Sequence, residues 1–160
     1  MKFLKFILIL FISLTTLVKA DSKKNIIENL KVGGKLIFIR HAYAPGGGDP
    51  ENFNIYDCST QRNLSESGRI QSRKIGNFFK ENKIKIENVY SSEWCRCKET
   101  ASLAFENFKT KSFLNSFYSS KFAQNKNSQM RDFQKFLLDW DKKTNLIFVT
   151  HYVVISEILD

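Results

Sequence analysis

The sequence has little proline, little histidine and few cysteines, and these shortages limit what the chain can be. Two prolines among 160 residues, together with 14% aromatic residues, exclude a proline-rich linker and a disordered chain. The length allows one compact domain with a real core and is short for two. The basic residues form no stripe interleaved with aromatics, so we expect no nucleic-acid partner. The sequence therefore predicts one ordered globular domain.

Long hydrophobic runs are also scarce, and the one that stands out lies at the N-terminus. "MKFLK" is a short basic start, "FILILFISLTTLV" is apolar, and Val18 and Ala20 are small residues before Asp21. The run is short for a membrane-spanning helix. We predict a signal peptide over residues 1–20, cleaved after Ala20, and a periplasmic or secreted domain over residues 21–160 without stable membrane insertion. An uncleaved anchor is the alternative. Cleavage removes three lysines and lowers the net charge from +9 to +6, which suits anionic substrates.

Three cysteines, Cys58, Cys95 and Cys97, all lie in the predicted mature domain. In an exported protein they can oxidise, and an odd count leaves one unpaired. Cys95 and Cys97 point in different directions on a helix, so we do not expect them to pair. A bridge from Cys58 to one of them would add roughly 4 kcal/mol, and buried free thiols are the alternative. The "CRC" spacing does not favour a zinc site.

Apolar runs typical of strands alternate with segments of helical periodicity. Strands are predicted in "GGKLIFIR", "IKIENVYSS" and "NLIFVT"; the first lacks alternation, as in a strand buried on both faces of a sheet. Helices are predicted after Ser65 as N-cap, and after Ser91 or Ser92 in "EWCRCKETASLAFENF". A further helix, "NSQMRDFQKFLLDW", has an apolar face made of Met130, Phe133, Phe136, Leu137 and Trp140. This alternation predicts a three-layer α/β sandwich with a mostly parallel sheet.

Both histidines of the chain follow the same pattern, "LIF" and two further residues before His41 and before His151. Parallel strands bind ligands at their carboxyl ends, so we expect both imidazoles at that edge. The strand "ENVYSS" leads to Arg96, one turn into its helix, where free N–H groups favour an anion. Taken singly, His41 could be a strand-end histidine, Arg96 a surface helix residue and His151 a core histidine bonded to a carbonyl.

Together, Arg40, His41, Arg96 and His151 suit phosphoryl chemistry. Arginine forks match phosphate oxygens, and a histidine can attack phosphorus. No acidic residue lies inside these motifs, so the sequence predicts a ring of Arg and His⁺ around a phosphoryl group.

The motifs around these residues resemble those of the histidine phosphatase superfamily, which has the phosphoglycerate-mutase-like fold. "LIFIRHA" is similar to its Arg-His signature, "NLSESGRIQSRKIG" to its L-T/S-x-x-G-x-x-Q-A helix start, "VYSSEWCRCKETA" to its S-S-x-x-x-R-x-x-x-T-A segment, and "IFVTH" to its second-histidine strand. The resemblance covers residues 35–155. It implies that His41 is the nucleophile, that Arg40, Arg96 and His151 bind the phosphate, and that no cofactor or metal takes part.

Two departures from the family pattern concern the proton donor. Ser116 in "FLNSFY" stands where mutase-like members have a glutamate, and Tyr152 stands where acid-phosphatase members have an aspartate. Asp49 and Asp57, together with Glu51, are the alternative candidates for the general acid. The family fold also continues beyond the second-histidine strand, which predicts that the chain is truncated at its C-terminus.

The segment between His41 and the Ser65 helix is too long for a mere connection. Its residues Arg62 and Asn63 are predicted either to contact the substrate or to hold the loop. A Cys58–Cys95 bridge would fasten this loop beside the Arg96 helix and preorganise the phosphate pocket.

The function that these features predict is an exported, metal-independent phosphatase of small phosphorylated compounds or phosphoproteins. A non-catalytic phosphate-binding module and a metal-dependent hydrolase that uses both histidines are the alternatives. The sequence predicts no oligomeric state.

Overall fold

The computed structural model describes residues 24–160 of the chain. Residues 24–32 form a helix, α1. The strands that follow are β1 (Leu36–Arg40), β2 (Asn88–Ser91), β3 (Lys109–Thr110) and β4 (Leu146–Thr150). The further helices are α2 (Glu66–Glu81), α3 (Cys95–Phe105), α4 (Ser120–Ala123), α5 (Lys126–Leu137) and α6 (Tyr152–Leu159). The predicted signal peptide lies outside the described residues. Within residues 24–160, no helix combines the length and apolarity needed to cross a membrane.

The strands form one parallel sheet in the order β1–β4–β2–β3. Arg40 at the end of β1 pairs with Thr150 at the end of β4, and Ser91 of β2 pairs with Val149. The carboxyl ends of these three strands therefore lie side by side. This arrangement confirms the predicted α/β fold with a parallel sheet.

Strand β4 lies in the middle of the sheet and is buried at every position. Its residues Ile147 and Val149 pack in one core with side chains of α2 and α3. Its residues Leu146 and Phe148 face the second core, which contains Phe133 of α5. Two covered faces explain why β4 is apolar throughout, since neither face meets water. The helices on both sides complete the three predicted layers.

The strands differ from the sequence predictions in two respects, the burial of β1 and the presence of β3. Strand β1 is only half-buried, although it was expected to be buried on both faces, because it is an edge strand of the described sheet and pairs with β4 alone. Strand β3 was not predicted at all, because its two residues, Lys109 and Thr110, are exposed and carry no apolar pattern.

The helix predictions agree with the structure except at the cap of α3 and at the C-terminal end of α5. Ser65 is the N-cap of α2, and its side chain accepts a hydrogen bond from the N–H of Gly68. The cap of α3 is Trp94, not Ser91 or Ser92, because the chain makes two more residues of turn after β2. On α5, Phe133, Phe136 and Leu137 pack in the second core, with Met130 half-buried beside them. Trp140 packs in the same core but lies beyond the end of α5 at Leu137, so the helix is shorter than predicted.

Candidate active site

Both histidines lie at the carboxyl edge of the sheet, in a cavity of about 530 Å³. His41 directly follows β1 and His151 directly follows β4, which are neighbours in the sheet. The N–H of His41 donates to the carbonyl of Thr150 at 2.9 Å, which extends the strand pairing by one residue. As a result the two imidazole rings are 5.5 Å apart, centre to centre. The repeated sequence pattern thus places the two histidines next to each other.

His41 is buried and has a fixed orientation. Its Nδ1 lies 2.8 Å from the carbonyl oxygen of Ala42, which can only accept, so Nδ1 carries the hydrogen and Nε2 keeps its lone pair. Burial, and then the positive charges of Arg96, Arg62 and Arg40, lower the pKa of His41 to about 4. The imidazole is therefore uncharged at neutral pH, which is the state that a nucleophile needs.

A residue that sequence reasoning missed connects His41 to the arginine helix. The hydroxyl of Thr100 accepts a hydrogen bond from the N–H of Ala42 at 3.0 Å and donates to the carbonyl of Arg96 at 2.7 Å. Ala42 in turn receives the Nδ1–H of His41. Thr100 belongs to the "KETA" segment that marked the resemblance, but only the folded chain shows what it holds.

His151 is almost completely buried beside Ser92 and Cys97. Its Nε2 lies 3.0 Å from the Ser92 hydroxyl and 3.5 Å from the Cys97 thiol. Burial, followed by the charges of Arg96 and His41, lowers the pKa of His151 well below its ordinary value. Burial also raises the pKa of Cys97 to about 12, so the thiol stays protonated. The expectation of His⁺ donors is therefore wrong for the free site, in which both imidazoles are neutral.

The two predicted arginines differ in their surroundings. Arg40 lines the cavity and is exposed, and its side chain has no hydrogen-bond or ion-pair partner within residues 24–160. Arg96 is 3% exposed and is held by α3, whose next residues are part of the core. Its Nε is buried and unpaired, which the described residues show for no other buried side-chain nitrogen or oxygen.

An acidic residue lies among the arginines, namely Asp49, one of the loop residues predicted as a candidate for the general acid. The Asp49 carboxylate accepts hydrogen bonds from Nη1 and Nη2 of Arg96 at 2.7 and 3.2 Å, and one each from the Trp94 indole and the Arg62 N–H, both at 3.0 Å. Burial raises the pKa of Asp49, but the hydrogen bonds and charge of Arg96 outweigh it and hold the pKa below its usual value. Asp49 is therefore ionised in the free site.

Of the other residues predicted in the loop, Arg62 lines the cavity, whereas Asn63 and Asp57 do not. Arg62 lines the cavity, but its Nε and Nη1 donate to the carbonyls of Gly48 and Ala44. Asn63 donates to the carbonyls of Cys58 and Gln61 and does not line the cavity. Asp57 accepts hydrogen bonds from Ser59 at the start of a short 3-10 turn, away from the cavity.

The loop is fastened to α3 by a disulfide between Cys58 and Cys95. Gln61 adds a hydrogen bond, because its Oε1 accepts the N–H of Cys95 at 2.9 Å. The N–H of Trp94 is directed at the Ser92 hydroxyl, 3.3 Å away. The N–H groups of Trp94 and Cys95, at the start of α3, are thus paired within the protein.

The two positions where the family carries its proton donor both lie at the cavity. Ser116 is buried, and its hydroxyl accepts the N–H of Tyr118. Tyr152 begins α6 and is 65% exposed. Neither side chain is the carboxylate that the family carries there. Among residues 24–160, no three His, Cys, Asp or Glu side chains form a group that could hold a metal ion.

Comparison with known proteins identifies the family and the fold of the chain. Residues 36–115 match the family model of the histidine phosphatase superfamily (branch 1). The fold is similar to that of the protein histidine phosphatase SixA complexed with tungstate, with 15% identity, a TM-score of 0.55 and coverage of 78% of this chain and 73% of that one. It is also similar to the mycobacterial glucosyl-3-phosphoglycerate phosphatase in complex with VO3, with 16% identity, a TM-score of 0.56 and coverage of 78% of this chain and 79% of that one. The phosphoglycerate mutase of Plasmodium falciparum is similar as well, with 18% identity, a TM-score of 0.51 and coverage of 78% of this chain and 65% of that one. No curated protein matches the sequence significantly. At such identities the solved structures show a common fold and leave the substrate open.

Proposed function

Since the chain belongs to the histidine phosphatase superfamily, we propose that it is an exported phosphatase that hydrolyses phosphate monoesters through a phosphohistidine at His41. The observation that carries the proposal is the state of His41: a neutral imidazole whose Nδ1–H is held by a backbone carbonyl, beside a buried arginine. A lone pair on Nε2 with fixed direction is what attack on phosphorus requires.

The arginines around His41 match the charge of the reaction. In the first step the Nε2 lone pair forms a P–N bond while the bond from phosphorus to the leaving oxygen breaks. Arg40, Arg62 and Arg96 border the same cavity and supply positive charge to the phosphoryl oxygens. In the second step water attacks the phosphohistidine, the P–N bond breaks, and phosphate leaves. The proposal needs no metal, since the arginines compensate the negative charge of the phosphoryl oxygens that a metal would otherwise compensate.

The substrate class of the proposal is broad. A cavity of about 530 Å³ accepts a small phosphorylated compound, and its open side is bordered by Tyr118, Lys121 and Tyr152, all exposed. A phosphorylated side chain of a protein would enter through the same side. The related structures carry names with both kinds of substrate, a protein histidine phosphatase and a glucosyl-3-phosphoglycerate phosphatase.

Export is part of the proposal and rests on two features. The first twenty residues have the layout of a signal peptide. The Cys58–Cys95 disulfide, in addition, is typical of proteins in oxidising compartments. Mass spectrometry of the protein recovered from a periplasmic extract or culture medium should give an N-terminus at Asp21.

Acid-labile phosphate trapping tests the catalytic part. The purified protein is incubated briefly with p-nitrophenyl phosphate, and its intact mass is measured before and after acid treatment. We expect one phosphate adduct that acid removes and that is absent in His41→Ala, with hydrolysis unaffected by a chelator. Circular dichroism of His41→Ala serves as the control for folding.

Each alternative function has its own outcome in this experiment. A metal-dependent hydrolase would lose activity to the chelator. A phosphate-binding module, which the serine at position 116 and the tyrosine at position 152 favour, would bind inorganic phosphate but form no adduct and release no p-nitrophenol.

A further inference from the structure

Asp49 occupies the part of Arg96 that a phosphoryl group is expected to bind. Its two carboxylate oxygens accept hydrogen bonds from Nη1 and Nη2 of the guanidinium, and its side chain is 14% exposed. The end of a guanidinium that carries Nη1 and Nη2 binds one bidentate anion at a time. Asp49 and the phosphoryl group of a substrate therefore compete for the same donors.

Arg96 is the more rigidly held partner in this competition. Asp49 lies on a glycine-rich loop, and its displacement also breaks the hydrogen bonds that it accepts from the Trp94 indole and the Arg62 N–H. Arg96 belongs to α3, and Cys97 and Ala101 of that helix are completely buried. Asp49 follows three glycines, of which Gly46 and Gly48 have positive φ angles. The backbone around Gly48 also faces open space, with no atom within 4 Å of the position that a Cβ would take.

A phosphoryl group is a stronger partner for the Nη1 and Nη2 donors of Arg96 than the carboxylate of Asp49. A phosphoryl group has three terminal oxygens and more negative charge than a carboxylate. This greater charge favours the exchange of Asp49 for phosphate at Nη1 and Nη2, because hydrogen bonds from a guanidinium strengthen with the charge of the acceptor.

Resting on the proposed function, we propose that the substrate phosphoryl group displaces Asp49 from Arg96 and that the released Asp49 then donates a proton to the leaving oxygen. Freed from the arginine and placed beside a phosphoryl anion, the carboxyl group binds a proton more readily. The substrate monoanion or the solvent supplies that proton. As His41 forms the P–N bond, the proton passes from Asp49 to the leaving oxygen, so an alcohol or phenol departs and Asp49 becomes a carboxylate. In the second step Asp49 accepts a proton from the attacking water, which restores both groups.

The other candidate acids are placed less well for this step. Asp57 lies outside the cavity, and Ser116 and Tyr152 carry no carboxyl group. Glu51 borders the cavity but is exposed on its rim. Asp49 is the carboxyl group that the described residues place in contact with a cavity arginine.

The test is a comparison of two substrates that differ in their need for a proton. p-Nitrophenyl phosphate has a good leaving group, and phenyl phosphate, of nearly the same shape, has a poor one. In Asp49→Asn we expect kcat/KM for phenyl phosphate to fall about a hundredfold or more, the usual contribution of general acid catalysis. The value for p-nitrophenyl phosphate should fall less than about tenfold. Because the second step loses its base, the phosphate adduct should also accumulate in Asp49→Asn.

The matched control is Glu51→Gln, which removes a carboxylate from the rim of the same cavity and should leave the ratio of the two kcat/KM values unchanged. Equal losses on both substrates in Asp49→Asn would mean that Asp49 only holds Arg96 in place, and equal gains would mean that it only blocks the site. Either outcome overturns the inference. Asp49→Glu, which keeps the carboxyl group, covers the case in which Asp49→Asn fails to fold. Failure of the proposed function is distinguishable, because then even the unaltered protein forms no adduct.

Discussion

The disulfide between Cys58 and Cys95 is expected to provide a large share of the stability of the folded chain. It joins two residues that are 37 positions apart. In the chain-entropy model a closed loop of this length lowers the entropy of the unfolded chain by about 13 cal/mol/K, which corresponds to about 4 kcal/mol at 25 °C. Because small domains are stable by about 5–15 kcal/mol in total, its loss should be easy to measure. The melting temperature should fall by about 10 °C.

The appropriate perturbation is the double variant Cys58→Ser/Cys95→Ser, which leaves no new unpaired thiol. The hydrogen bonds of Gln61 to the N–H of Cys95 and to the carbonyls of Asn54 and Ile55 do not use sulfur and remain available. The folded loop should therefore stay in place, and the effect should arise in the unfolded chain.

Urea unfolding with and without a reductant measures this effect. The reductant should destabilise the unaltered protein until its unfolding curve coincides with that of the double variant, and it should not change the variant. A difference below about 1 kcal/mol between the oxidised protein and the variant would refute the reasoning, because the entropy of a closed loop of this length is several times larger.

Two further predictions follow from the histidines and from Thr100. His41 is neutral when folded but binds a proton below pH 6.5 when unfolded, so it should lower the free energy of unfolding by up to about 3 kcal/mol between pH 6.5 and about 4. His151, whose pKa is also lowered, adds to this loss, and urea unfolding of His41→Asn should show a smaller loss than the unaltered protein. Thr100→Val leaves the buried N–H of Ala42 unpaired, so the free energy of unfolding should fall by about 1–3 kcal/mol and kcat/KM should fall with it. Thr100→Ser keeps the hydroxyl and should restore both quantities. If Thr100→Ser instead loses as much as Thr100→Val, the hydroxyl does not have this role.

The parts of the fold that the sequence predicts well depend on neighbouring residues. A strand covered on both faces needs consecutive apolar residues, and β4 has them before His151. A helix needs a cap, and Ser65 supplies it for α2. The two strand-end histidines could be predicted for the same reason, since a short pattern places each of them.

The parts that could not be predicted depend on contacts between distant residues. Whether β1 is central or at the edge is decided by β4, which lies more than a hundred residues further along the chain. The Asp49 carboxylate meets Arg96 across 47 positions, through a loop whose path is set by glycine φ angles and a disulfide. No local pattern encodes that meeting, which is why the arginines were expected to have no anion between them.

The charge of the site has a consequence that the residue types alone do not reveal. Arg96 contributes the largest charge effect on the pKa of both His41 and His151, after burial. The cations that would bind the phosphoryl group are thus also the cations that keep the nucleophile unprotonated. Asp49 partly offsets their mutual repulsion while the site is empty, through its contact with Arg96. When a phosphoryl group takes over that contact, the negative charge beside Arg96 is replaced rather than removed. Binding therefore keeps the arginines compensated and frees an acidic side chain at the moment when the leaving oxygen needs a proton.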